Sequence, residues 1–314
     1  MADASDLGHH EFVYGLAGHV KNWRDGQTMK KAIAPPRPAY TQWSSDSVGG
    51  SGRASSGVVF SDFHIRHPFG KNQFATSVRI YNGLRRIDIS TELVNQEEFV
   101  RYRVVFPTSI QNGAVMEEIP FGTVERPLHQ EFPAQNWVDY SDGTHGISLI
   151  NEGVPGNNVA DGTLVLSLMR SARLISYGFI GGYELGVGSD TGLGIGSKYT
   201  LHCAIMPHMG DWRTATPWRT GMEFNNPLIT RSAAAHTGNL PAKWGLLEIS
   251  NDDVVTSALN SGKDGTVIVR VYEAAGKPSQ GVRASWRGRI SQVRILLKIP
   301  GRALKRSATA SRSI

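Results

Sequence analysis

The feature that most constrains this chain is the recurrence of short segments in which apolar and polar residues alternate with a period of two. In RRIDISTELV, Ile87, Ile89, Thr91 and Leu93 alternate with Asp88, Ser90 and Glu92. In VRYRVVF, Val100, Tyr102, Val104 and Phe106 lie on one side and Arg101 and Arg103 on the other. Successive side chains of a β-strand point to opposite faces, so each segment offers one face to a core and one to water. GISLI, TLVLSLM, YTLHCAI and TVIVRVY extend the series. Between such runs, Asp142-Gly143, Glu152-Gly153, Asp161-Gly162 and Asp264-Gly265 supply residues that tolerate the positive φ of tight hairpins. The 35 glycines and 15 prolines favour turns over long helices. An all-β chain with this density of short strands buries one face of each of two sheets most economically as a large antiparallel sandwich. A closed barrel has no special support.

With 314 residues, 40% of them hydrophobic, the chain can bury a substantial core. Composition divides it into three parts. Residues 1–57 join a strand-like HEFVYGLAGHVKNWR to a loop rich in Pro, Gly and Ser that includes APPRPAY and SVGGSGRASSG. Residues 58–282 carry the alternating pattern. Residues 283–314 hold seven Arg and two Lys with no acid, as expected of a disordered tail or a change of reading frame. The net charge of +6, less those nine, leaves −3 on the preceding residues. That mildly acidic body lacks a basic stripe interleaved with aromatics, so no nucleic-acid partner is expected. Cys203 is the single cysteine and cannot form an internal disulfide. The start lacks the charged and apolar regions of a signal peptide, no Asn-X-Ser/Thr acceptor occurs, and no apolar run approaches the length of a membrane span. These features give the expectation of a cytoplasmic protein without a membrane partner.

The chemistry-bearing residues read mostly as structural. His9 and His10 are adjacent, and His64 and His67 are three apart in an extended segment, so neither pair shares a strand face. His208 and Asp211 stand close, with no second pair at metal-ligand spacing. Gly50-Ser-Gly52 lies in the loop region, and Cys203 sits in an apolar strand as a small hydrophobe. GVGSDTGLGIG, from Gly186 to Gly196, has no amphipathic helix after it and therefore lacks the helix N-terminus of a phosphate-binding turn. Glu117, Glu118, Glu125, Glu131, Asp139 and Asp142 cluster in sequence. Glycoside hydrolysis uses two positioned carboxyl groups, but on alternating strands these acids are expected to face water. Trp137, Tyr140, Tyr177, Tyr183, Trp212 and Trp218 are core residues or sugar-stacking faces. A weak echo relates His19, Trp23 and Arg24 to His208, Trp212 and Arg213.

An ordered series of segments resembles the C-terminal β-sandwich region of the family-38 glycoside hydrolases, the α-mannosidases. The series runs EIPFGTVERP, EFPAQNWVDYSDGTHGISLINEG, DGTLVLSLMRSA, MPHMGDWR, MEFNNPLI and VVTSALNSGKDGTVIVRVYEAAG, within residues 74–280. IYNGLRRIDISTELVN resembles the strand pair that opens this region. The resemblance implies a super-sandwich of galactose-mutarotase-like type, with Pro120 and Pro127 bounding an irregular connection. It also implies that the zinc ligands and the aspartate nucleophile reside in a separate N-terminal catalytic domain. This chain would then carry no catalytic residue, metal site or cofactor of its own. Its partners would be that catalytic domain and an α-mannoside at a shared cleft, and a sandwich short of a terminal strand would leave an edge compatible with oligomers. The resemblance places Arg170, at a strand end, and Asp190, in SDTGLG, as substrate-binding residues. Some relatives have an arginine where this chain has Thr191. An autonomous carbohydrate-binding sandwich module is the alternative function.

Overall fold

The computed structural model describes residues 11–13, 51–172, 175–178, 182–188, 194–232, 234, 237–239, 243–262, 267–286 and 293–296. The chain divides into two units, Met1–Ile119 with Val124–Pro227, and Pro120–Thr123 with Leu228–Ile314.

The first unit contains two large sheets. The smaller has the order β1 (Glu11–Val13), β6 (Arg101–Pro107), β13 (Thr163–Arg170), β12 (Gly156–Ala160) and β9 (Phe132–Pro133). Its pairings are antiparallel except that β1 runs parallel to β6. The larger runs β2 (Ser51–Ser56), β3 (Phe60–Phe69), β4 (Asn72–Tyr81), β5 (Ile87–Val94), β16 (Lys198–Met209), β11 (His145–Glu152), β10 (Trp137–Ser141), β7 (Ala114–Ile119) and β8 (Gly122–Arg126). A separate hairpin joins β14 (Ile175–Gly178) to β15 (Gly182–Gly188). In the second unit, β17 (Leu247–Ile249) pairs with β20 (Ala284–Trp286), and β19 (Val267–Glu273) lies between β18 (Val254–Ser261) and β21 (Val293–Leu296).

The alternation read from sequence selects the core. Tyr102, Val104 and Phe106 of β6 and Leu164 and Leu166 of β13 form one buried cluster with Ile89, Leu93, Val138, Tyr140, Ile147, Leu149, Cys203 and Ile205 of the larger sheet. Two sheets contribute their inner faces to one core, as an antiparallel sandwich requires. Cys203 is 4% exposed, and burial pushes its thiol up to about 12.

The turns follow the residues that tolerate positive φ. Asp161 (φ 49°) and Gly162 (φ 73°) form a two-residue loop between the paired Ala160 and Thr163, matching the two left-handed positions of a type I′ hairpin. Gly143 and Gly153 also have positive φ; Asp264-Gly265 lies outside the described residues. EIPFGTVERP differs from the irregular connection expected of it. Its first half ends β7 and its second half forms β8, with Phe121 at φ 64° in the tight link between them. Proline fits here because β8 is the edge strand of its sheet, and Pro120 sits in the turn, where no ladder donor is needed.

A helical layer covers the outer face of the larger sheet. Asp211 caps helix α1 (Trp212–Ala215) by accepting from the Thr214 backbone N–H. Thr216, at φ 54°, turns the chain, and Pro217 then starts helix α2 (Pro217–Asn225) at a position that needs no donor. Trp212 stacks on Trp137 with ring centroids 5.7 Å apart and meets Trp218 edge-on. Gly221 lets α2 approach β10, since an added Cβ would stand 3.2 Å from Asn136 Cβ. Trp137, Tyr140, Trp212 and Trp218 are thus core rather than sugar platforms. No helix among the described residues is long and apolar enough to cross a membrane.

The expectation that the clustered acids face water fails at three positions. Glu117, Glu118 and Asp139 are 1%, 3% and 0% exposed. Each carboxylate is held by a specific partner, the condition for burying charge. Arg126 donates to Glu117 at 3.0 Å, and the Asn136 backbone N–H donates to Glu118 at 2.9 Å. Asp139 Oδ2 accepts from Ser148 Oγ at 2.6 Å and lies 2.7 Å from His208 Nε2. His208 is on β16 and Asp139 on β10, so the imidazole crosses the intervening β11 at Gly146, its register partner. A Cβ on Gly146 would run into the His208 ring. Burial works to lower the His208 pKa, but the Asp139 hydrogen bond and charge outweigh it and raise the value.

Two outcomes follow from this interior. Ellman's reagent should leave Cys203 unmodified in the native chain and titrate one thiol in denaturant; native labelling at the unfolded rate would contradict the packing. His208 contributes stability that is complete below the ordinary imidazole value of 6.5 and lost as pH rises through the raised one. His208→Ala should cost about 3–5 kcal/mol at low pH, the range for removing one partner of a buried pair. It should also remove the part of the wild-type decline that falls as pH rises through the raised imidazole value, as read from urea midpoints across that range.

Candidate functional site

The outer face of the five-stranded sheet holds an open groove of about 530 Å³. Its polar residues come from three stretches that the sheet brings together: Arg101 of β6, Glu131 just before β9, and Ser167 and Arg170 of β13. Phe132, Pro133 and Pro155 supply apolar wall.

Arg170 reaches this face because of one irregularity. Along β13, Leu164 and Leu166 point to the core, so a regular strand would send residue 170 the same way. Ser167 lies opposite Arg103, but the next pair is Met169 with Tyr102, which leaves Leu168 as an extra residue. This β-bulge reverses the alternation and sets Arg170 opposite Arg101. Leu168 and Met169 both pack on the core side.

Arg101 donates to Glu131 Oε2 and to Ser167 Oγ, and Ser167 Oγ donates to Glu131 Oε1 at 3.0 Å. Both oxygens of Glu131 are therefore engaged. Burial pushes the Glu131 carboxyl up, while Arg101, Ser167 and the nearby charge of Arg103 outweigh that and hold it below its ordinary value. Gly156 leaves room for this carboxylate, since a Cβ there would stand 2.8 Å from Glu131 Oε1. Arg170 is exposed and, among the described residues, makes no ion pair. The groove thus presents the unpaired guanidinium of Arg170 beside a hydrophobic wall, which suits it to bind an oxygen-rich ligand.

Of the two residues expected to bind substrate, Arg170 lies in this groove. Asp190 falls outside the described residues, as do Thr191, His9, His10 and the His19 echo. Glu125 and Asp142 are exposed, and the backbone N–H groups of His145 and Thr144 hold the Asp142 carboxyl low. Among the described residues, no cluster of three or more His, Cys, Asp or Glu side chains could hold a metal ion. The Arg101–Glu131–Ser167 network was not read from sequence. Arg101 showed its outward parity and Glu131 its place among the acids, but nothing local links residue 101 to residue 167.

Two sheets around a single core, with an open groove on the outer face of the smaller, define an all-β sandwich. Residues 40–174 match the glycosyl hydrolases family 38 C-terminal domain. It is 24% identical over 268 residues to alpha-mannosidase 2C1 of Homo sapiens, covering 81% of this chain and 24% of that protein. With alpha-mannosidase G of Dictyostelium discoideum it shares 26% identity over 223 residues, or 67% of this chain and 19% of that protein. The chain therefore spans a quarter or less of the length of these relatives. Its fold is similar to the crystal structure of an alpha-mannosidase from Enterococcus faecalis V583, with a TM-score of 0.60 at 16% identity over 73% of this chain and 30% of that one.

Arg101→Ala should raise the Glu131 titration toward or above its ordinary 4.5, as read by carboxyl-carbon NMR. Because Glu131 is 39% exposed, solvent screening should limit the stability loss to about 1 kcal/mol. A Glu131 titration that does not move would remove Arg101 as the cause of its shift.

Proposed function

We infer that this chain is the non-catalytic C-terminal portion of an α-mannosidase-like glycoside hydrolase of mannose metabolism, which packs against a catalytic domain and shapes one wall of its sugar cleft. The observation that carries this reading is the family-38 match over residues 40–174, in a region that folds as a sandwich similar to a solved α-mannosidase. The placement of Arg170 in an open groove supports a role in contacting sugar hydroxyls. Zinc and the nucleophile belong, on this reading, to the catalytic domain. The described residues here do not fit a zinc site, which takes three or four close ligands. A cytoplasmic location and Asp190 as a second sugar contact complete the proposal.

The test uses the purified chain and the separately expressed catalytic domain of an α-mannosidase relative. The chain alone should not hydrolyse 4-nitrophenyl α-mannoside. Mixed with the catalytic domain, it should co-elute as a complex and raise turnover, and Arg170→Ala should raise KM several-fold while leaving the complex intact. Hydrolysis by the chain alone, lost on chelation, would overturn the proposal. So would the absence of any complex; mannoside affinity without a complex would instead favour an autonomous carbohydrate-binding module.

A further inference from the structure

The groove carries an imbalance of charge that a neutral hexose does not answer. Arg101 and Arg170 are register partners on adjacent strands, and like charges in that position repel. Glu131 offsets Arg101, and its carboxyl also feels Arg103, the next outward residue of β6. Arg101 and Arg170 thus stand beside one carboxylate, and Arg170 has no ion-pair partner among the described residues. A guanidinium binds a phosphate or carboxylate through two parallel hydrogen bonds, an interaction stronger than any it makes with a hydroxyl. Beside Arg170, Pro133 and Pro155 present apolar surface, which a bare anion would leave against water. The groove's volume is within the range of about 300–1,000 Å³ typical of small-molecule sites.

We propose that this groove binds an anionic saccharide, with Arg170 taking the oxygens of its phosphate or carboxylate and the sugar ring lying on Pro133 and Pro155. The saccharide half rests on the carbohydrate-processing reading above; the anionic half rests on the paired arginines. Arg101 is the less available donor because Glu131 and Ser167 already occupy it. The site is therefore asymmetric. Arg170 contacts the anion, Arg101 supplies positive potential behind it, and Glu131 sets how much of that potential is felt.

Isothermal titration of the full chain with mannose 6-phosphate, glucuronate, mannose and inorganic phosphate, at low and high ionic strength, tests this. At least one of the two anionic sugars should bind, and the stronger identifies phosphate or carboxylate as the source of the charge. High salt should weaken binding, and mannose should bind at least about tenfold more weakly than the preferred anionic sugar. Arg170→Ala should lower affinity for that sugar about tenfold or more, with Arg170→Lys falling between. Glu131→Gln should raise it several-fold by freeing Arg101, a gain that a merely structural carboxylate would not produce. Equal binding of mannose, or no response to Arg170→Ala, would overturn the anionic half. Inorganic phosphate binding as tightly as mannose 6-phosphate would overturn the saccharide half. Failure of every ligand, together with loss of the catalytic-domain complex in Arg170→Ala, would assign the groove to an acidic segment of that domain and end the proposal. A chain that binds sugar phosphate yet forms no such complex leaves this inference standing and removes the domain-packing reading.

Discussion

Strands β10, β11 and β16 are covered on both faces, and most of the first unit is arranged to satisfy that condition. One face meets the smaller sheet through Val138, Tyr140, Ile147, Leu149, Cys203 and Ile205. The other lies under the two helices, where Trp137, Ile150, Ala204 and Met206 are buried. Sheets buried on both faces leave no water for a polar side chain, so each one must find its partner inside. Asp139 Oδ2, Ser148 and His208 do so together, in a bridge across three strands, while Asp139 Oδ1 and Trp137 Nε1 are buried without a hydrogen-bond partner among the described residues. Gly146 leaves the space that the bridge crosses, and Asp211, three residues beyond His208, starts the helix that covers it.

The same economy explains why the clustered acids divide as they do. Glu117 and Glu118 belong to a strand near the edge of the large sheet, where Arg126 from the outermost strand and a loop backbone can reach inward to hold them. Glu131 lies outside the core and is spent on Arg101 and Ser167 instead. A carboxylate with fixed partners positions its neighbours, so these acids organise a scaffold and a groove.

The groove itself depends on the bulge at Leu168. Without the extra residue, Arg170 would follow Leu164 and Leu166 toward the core, where a guanidinium without a partner is strongly disfavoured. With it, the strand keeps the core contacts of Leu164, Leu166, Leu168 and Met169 and still delivers a cation to the outer face. Bulges are a common way to re-aim a side chain beside a binding site.

The sequence by itself determined that the chain is built of antiparallel strands, which residues of β5 and β6 enter the core, where the hairpin at Asp161-Gly162 turns, and that Cys203 is a small buried hydrophobe. Those properties are local: side-chain period and backbone preference act within a few residues. Only the tertiary structure decided which acids are buried, that EIPFGTVERP is an edge hairpin, and that Arg101, Glu131, Ser167 and Arg170 share one groove. Burial of a charge depends on a partner supplied from elsewhere, as with His208 reaching Asp139 across 69 residues. The face that Arg170 occupies depends on pairing register with another strand. Neither register nor long-range partnership is encoded in the spacing of a single segment.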